Sequence, residues 1–392
     1  MLRIGVVGYG HRSSGLVKNY ILEAEPDARV VGIVDPDEPG VRARLPEADR
    51  TDAGFYATLT EMLRKAKPDG VIVGPRCNLH TPYAIEAFKF DVPLFLEKPV
   101  ATSMAQAVAL EKAFKKSKCP VIVSFPLRVS PLCVLTREHI VSGVIGNPEH
   151  ILAINYVPYG VGYFEQHYRN YEVTQGLFLQ KATHDLDYMS YLLDSPIVKV
   201  AAMASFGRVY GGKKPAGLKC SQCRAVETCP ESPGNRRRAQ SAARLEDHLC
   251  PFSVDCGTPE KGMNEDSSSV LLEFKNGAKG VYTQVFYSSR ESAARGATVS
   301  GYKGSVSFEW YANEVKLVRN FSPYASKTSG GHYQPHFGGD RELIRDFIGL
   351  MKGGKTCRAT LRMGIQSVYA CLAAKESAKK NKFINVRQFG NV

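Results

Sequence analysis

Over the first 125 residues, short apolar runs alternate with amphipathic segments, and this alternation leaves the chain few folds to choose from. The runs are RIGVVG, RVVGIVD, GVIVG, VPLFL and VIVSF. Between them, the spacing of apolar residues predicts helices over 58–67, 80–90 and 103–116. Strand–helix alternation is the mark of a parallel sheet wrapped by helices. Near-continuous Val and Ile content fits strands buried on both faces. The expected fold class is therefore α/β, with a doubly wound parallel sheet at the N-terminus. A chain of 392 residues is too long for one ordinary core. The division falls at 1–126 for the nucleotide-binding domain and 127–392 for a substrate and oligomerisation domain.

The turn after the first run, GYGHRSSG, places Gly8 and Gly10 as the first two glycines of a dinucleotide-binding turn of the Rossmann type. The first permits the tight turn, and the second lets the backbone approach a pyrophosphate at a helix N-terminus. The third glycine position holds Ser13. Asp35 closes the second run, where a carboxylate accepts hydrogen bonds from ribose hydroxyls and repels a 2′-phosphate. This favours NAD over NADP, although Arg12 could reach either the pyrophosphate or a 2′-phosphate.

The stretch FLEKPV ends the fourth long run with Glu97, Lys98 and Pro99. Ligands of doubly wound sheets bind outside the carboxyl ends of the strands, so Lys98 is expected to face the cofactor crevice.

Beyond residue 127, strand patterns follow one another: HILAINYV, VKVAAMASF, SSVLLEF, KGVYTQVFY, RGATVSGY and GSVSFEWY. They predict an α+β domain built on a large, mostly antiparallel sheet. Two amphipathic helices are expected at 340–351 and 361–380. The segment QKATHDLDYMSYLL reads as a helix with Lys181, His184, Asp185 and Tyr188 on one face and Leu186, Met189 and Leu193 on another. A polar face of that kind is expected on solvent or in a site. His184 has the intrinsic pKa to accept a hydroxyl proton near neutrality, and Lys98 and Lys181 can stabilise a developing alkoxide. His332 and His336, in GGHYQPHFGGD, form a further candidate substrate-binding loop.

Five of the ten cysteines crowd one segment, and CSQCRAVETC has the spacing of a metal knuckle. The segment 210–266 has few large apolar residues, so a metal would supply its missing stability. The expected ligands are Cys220, Cys223, Cys229 and Cys250, with Cys256 and His248 in reserve. Structural zinc is the default occupant, and an iron–sulfur cluster is the alternative. The net charge of +13 suits an acidic small substrate. Basic residues gather at Arg236, Arg237 and Arg238 without aromatic interleaving, so no nucleic-acid partner is expected. No apolar stretch is long enough for a membrane span, and the N-terminus lacks a signal-peptide pattern, which places the protein in the cytoplasm without a disulfide framework.

The chain resembles the Gfo/Idh/MocA oxidoreductases (glucose–fructose oxidoreductase, inositol dehydrogenase and relatives) in GVVGYGHR, in NLHTPYA at 78–84, in LEKPV and in KATHDLDYM at 181–189. The resemblance implies that Glu97 and Lys98 sit beside the nicotinamide, with Pro99 holding the turn, and that Lys98 contacts substrate hydroxyls and assists proton transfer. It places His11, Arg12, Asn78 and His80 in the cofactor site and the catalytic histidine at His184. The family usually has an acidic residue four positions before that histidine; here it is Gln180, grouped with Asp185 and Tyr188 as substrate-binding. The resemblance also implies an open-faced sheet through which homodimers or homotetramers form, and a subset of the family carries a Cys-rich insert. The expected activity is hydride transfer between NAD(P) and a hydroxyl carbon of a sugar, sugar acid or cyclitol. The alternatives are a redox-assisted glycosidase that retains its NAD, and a non-catalytic nucleotide sensor.

Overall fold

Runs of Val, Ile and Leu with no polar face become strands buried on both sides. In a computed structural model describing residues 1–330 and 335–391, they are β1 (Arg3–Val7), β2 (Arg29–Val34), β4 (Gly70–Val73), β5 (Leu94–Leu96) and β6 (Val121–Val123), joined by a two-residue β3 (Gly54–Phe55) too short to show in the pattern. All pair in parallel, in the order β3-β2-β1-β4-β5-β6. The order reverses between β1 and β4, which opens a crevice at their carboxyl ends. The intervening helices lie close to the expected ranges. Leu59–Ala66 is capped by Thr58, whose hydroxyl accepts from the Glu61 amide, and Met104–Phe114 is capped in the same way by Ser103 and the Gln106 amide.

The chain divides into two units. The first holds Met1–Pro131, a later segment ending at Tyr369 and a last one starting at Gln388. The later segment contains the helix Gly339–Met351, whose Phe347 packs edge-on to Phe95 with ring centroids 5.6 Å apart. The Ala359 carbonyl accepts the Val123 amide at 2.8 Å, closing the outer edge of β6.

The second unit is built on β7 (Pro148–Tyr156), β8 (Ile197–Ser205), a small hairpin of β9 (Gly257–Thr258) and β10 (Gly262–Met263), then β11 (Ser267–Phe274), β12 (Lys279–Val285), β13 (Ala294–Gly301), β14 (Gly304–Glu309), β15 (Glu314–Arg319), β16 (Ala325–Ser329) and β17 (Ile384–Asn385). Apart from the small hairpin, they form one nine-stranded sheet in the order β16-β15-β14-β13-β7-β12-β11-β8-β17. Every pairing is antiparallel except β7 with β12. All six expected strands are present. β16 is exposed along its whole length, so it offered no alternation to read. One sheet face takes the helix Thr183–Leu193. On the other, Ala201, Leu271, Val281 and Leu152 stand side by side across four strands. No helix among the described residues is long and apolar enough to cross a membrane.

Candidate active site

The β1 turn fits a dinucleotide. Gly8 has φ +76°, and a Cβ there would come within 2.5 Å of the Pro75 backbone, so only glycine is tolerated. A Cβ on Gly10 would meet nothing within 4 Å, which leaves room for a ligand where the helical stretch from His11 begins. No side chain caps those first amides, which suits an anion. Ser13, at the third fingerprint position, is fully buried, and a Cβ on Gly74 would approach its hydroxyl to 2.7 Å. The close helix–strand approach usually given by a third glycine is thus provided by Gly74. Asp35 accepts the Tyr9 and Asp37 amides at 2.8 and 2.9 Å, which fixes the carboxylate at the end of β2. The buried Asn78 Oδ1 has no hydrogen-bond partner among the described residues, a vacancy that a bound ribose or amide can fill. His11 is exposed at the start of the helix.

Two of the expected cofactor residues, His80 and Arg12, are held by partners within the protein. His80 is buried, with Nδ1 2.8 Å from the Pro99 carbonyl and Nε2 3.2 Å from the Pro75 carbonyl. Burial holds its pKa below the usual imidazole range, against the pull of the two carbonyls and of Glu97. His80 therefore anchors the Glu97–Pro99 turn, in which the Lys98–Pro99 bond is cis. Arg12 is committed as well. Its guanidinium meets Glu97 at 2.8 Å, both oxygens of Asp340 at 2.6 and 2.7 Å, and the Ser124 hydroxyl at 3.0 Å. It cannot also serve a 2′-phosphate.

This network explains the charged strand end. Burial alone would raise the Glu97 pKa, but Arg12 and then Lys98 draw it below the usual carboxylate range, so it stays ionised. Asp340 is likewise held down by Arg12. Two carboxylates face one guanidinium, and the half-buried Lys98 ammonium balances the remainder. His336 joins this cluster, with Nδ1 2.7 Å from Asp340. His332 lies outside the described residues.

In the second unit, the expected polar helix face is buried against the sheet and not on solvent. Asp185 is fully buried and receives Arg295 through Nε and Nη2 at 2.9–3.0 Å, Tyr282 at 2.9 Å and Asn155 at 3.0 Å. Both of its oxygens are engaged by these donors. Tyr188 is fully buried, with its ring edge-on to Trp310 and Phe308. Gln180 is buried and its amide donates to the Thr174 carbonyl at 2.9 Å. A buried carboxylate is tolerated when its oxygens find partners, and Asn155 on β7, Tyr282 on β12 and Arg295 on β13 supply those of Asp185.

Lys181 and His184 remain from that face, each only 5% exposed. Lys181 lies in a π-helical turn, Phe178–Ala182, that leads into the α-helix carrying His184. Such turns concentrate at functional sites. The Lys181 ammonium donates to the Tyr159 hydroxyl at 2.8 Å and lies over the rings of Tyr159 and Tyr163, at 4.8 and 5.5 Å from their centroids. Sequence reasoning missed Tyr159, Arg295, Tyr282, Ser124 and Asp340; only the clustered tyrosines of VPYGVGYF gave any signal of these.

The expected zinc centre is not formed: no group of three or more His, Cys, Asp or Glu among the described residues is placed to hold a metal. Cys220, Cys223, Cys229 and Cys250 are free thiols. Burial first, and then the neighbouring Cys250 and Cys229 thiols, push Cys220 up to about 12. His248 is 3.2 Å from Cys220 but also 3.1 Å from Glu165. Arg236 takes the stapling role. Its guanidinium is buried, bonded to Glu165, to Glu231 at 2.8 Å and to the Arg244 carbonyl at 3.1 Å. Arg236→Met leaves the buried Glu165 with only His248 beside it, at a local cost of about 3–5 kcal/mol. Limited proteolysis is expected to cut 210–266 much faster in this variant, while chelators leave the parent protein's digestion pattern unchanged.

Residues 2–125 match the family described as an oxidoreductase family with an NAD-binding Rossmann fold, and residues 134–307 match the Gfo/Idh/MocA C-terminal domain. The chain is 25% identical to YteT of Bacillus subtilis, a protein named as an oxidoreductase, over 359 residues and 82% of each chain. It is 25% identical to an inositol 2-dehydrogenase of Rubrobacter xylanophilus over 205 residues, which is 51% of this chain and 54% of that one. Among solved structures, a levoglucosan dehydrogenase in complex with NADH and levoglucosan superposes with a TM-score of 0.75 at 16% identity, covering 99% of both chains. With both domain matches falling in sequence order on the two sheets described above, the chain belongs to the Gfo/Idh/MocA family of NAD(P)-dependent oxidoreductases.

Proposed function

We propose that the protein is an NAD-dependent dehydrogenase of a sugar, sugar acid or cyclitol, oxidising one hydroxyl-bearing carbon. The observation that carries this reading is the nearly complete burial of a histidine and a lysine, His184 and Lys181, on neighbouring helical turns. The relatives named as inositol and levoglucosan dehydrogenases support a cyclic polyol as the substrate class.

Bound NAD supplies the hydride acceptor. The Gly8–Gly10 turn and the helix start hold its pyrophosphate, and Asp35 takes ribose hydroxyls. His184 accepts the substrate hydroxyl proton, and Lys98, steadied by Glu97, stabilises the oxygen as negative charge develops. Lys181 adds positive charge beside His184. Self-association through the open sheet face, where Leu152, Leu271 and Met203 are 43%, 53% and 78% exposed, forms a homodimer or homotetramer.

The test is a panel of sugars, sugar acids and cyclitols with each nicotinamide cofactor, read by the absorbance of the reduced ring. NAD is expected to bind at least about tenfold tighter than NADP, because Asp35 repels a 2′-phosphate and Arg12 is committed elsewhere. Preference for NADP would overturn the Asp35 assignment. Repeated turnover of a glycoside with no added NAD would replace the dehydrogenase by a redox glycosidase.

A further inference from the structure

A lysine buried for structural reasons is normally answered by an acceptor set or an anion. Lys375 shows the pattern here: its ammonium reaches the Gln175 carbonyl at 3.0 Å and the Gln175 side-chain oxygen at 3.1 Å, with Glu265 in electrostatic range. Lys181 lacks that pattern. It is 5% exposed, it makes one hydrogen bond, to a neutral phenol, and its other two N–H groups meet no acceptor among the described residues. The carboxylate one turn along, Asp185, is consumed by Arg295, so the pair cancels and the Lys181 charge stands as a surplus. Tyr159, which shares the ammonium, is 38% exposed, so the charge lies directly behind a residue that reaches solvent.

We infer that Lys181, walled by Tyr159 and Tyr163, is the seat for a carboxylate on the substrate, which makes the substrate a sugar acid, a uronate or aldonate, and not a neutral sugar or cyclitol. This rests on the dehydrogenase reading above and narrows its substrate. One surplus positive charge matches one carboxylate; a phosphate monoester brings a charge nearer −2. Carboxylate–ammonium hydrogen bonds are the strong class in a site shielded from water.

Initial rates with NAD, and calorimetric binding to the NADH-loaded protein, are compared for uronates and aldonates, their neutral parent sugars, the uronate methyl esters and sugar phosphates. The acids are expected to exceed the neutral sugars and esters by about 10- to 100-fold in kcat/KM and in affinity. Lys181→Met, checked for an unchanged melting temperature, is expected to bring that ratio to about one, chiefly through KM, and Lys181→Arg to retain most of it. An undiminished ratio in Lys181→Met, a preference for neutral sugars or phosphates, or no acid binding at all would overturn the seat. Acids that bind through Lys181 without being oxidised would leave the seat standing and sink the dehydrogenase reading instead.

Discussion

Alanine at His184 or at Lys98 is expected to cut turnover by about a hundredfold or more, while the dissociation constant for NAD changes far less. The size is that of losing a general base or an electrostatic stabiliser of the transition state. The two losses should differ in kind. His184 is almost fully buried, so its removal also opens a cavity, and the comparison with His184→Gln separates lost proton transfer from lost packing. Lys98 is half-buried beside an ionised Glu97, so Lys98→Ala leaves the Arg12 cluster one negative charge in excess, and Lys98→Arg restores the balance without restoring the lysine's geometry. Turnover near that of the parent protein in either alanine variant, measured at saturating NAD, removes that residue from the mechanism.

The largest stability effect is expected at Arg295→Met. This leaves Asp185 fully buried with only Tyr282 and Asn155 as partners, a loss of about 3–5 kcal/mol. Asp185→Leu combined with Arg295→Met should recover much of it, because a buried pair replaced by apolar side chains of similar size is often close to neutral. Urea unfolding of the second unit, followed through Trp310, whose ring lies 5.8 Å from the Arg295 guanidinium carbon, reads the change directly. If Asp185 touched substrate, Asp185→Asn would lower kcat/KM and leave the unfolding midpoint in place; the expected result is the reverse.

Of the first unit, the strands and capped helices were legible because local periodicity and burial agree there: a parallel strand covered on both faces has nothing polar to hide. The late contributions were not legible. Nothing local to Asp340 or Phe347 marks them as partners of Arg12 and Phe95, since those pairings join segments from opposite ends of the chain. In the second unit, the helix at 180–193 was legible as a helix, but its polar face was read from one side only. Whether Asp185 meets a substrate or an arginine depends on Arg295, and periodicity says nothing about what lies opposite. The cysteine spacing misled for a similar reason. Ligand spacing is necessary for a metal knuckle, but the segment found another solution in a single buried guanidinium, and Arg236 looked like one of three solvated arginines in a row.

The make-up of the first unit bears on how the protein is made. Synthesis proceeds from the N-terminus, so β1–β6 leave the ribosome long before the segment that carries Asp340, Phe347 and Ala359. Until that segment emerges, the nascent nucleotide-binding sheet has Phe95 bare, the Val123 amide at its edge unpaired, and the Arg12–Glu97 pair without its third member. An open edge and a bare aromatic ring are the features that invite strand addition by another chain. The half-made protein is therefore the form most in need of chaperone cover, and the segment carrying Asp340, Phe347 and Ala359 is what ends that need.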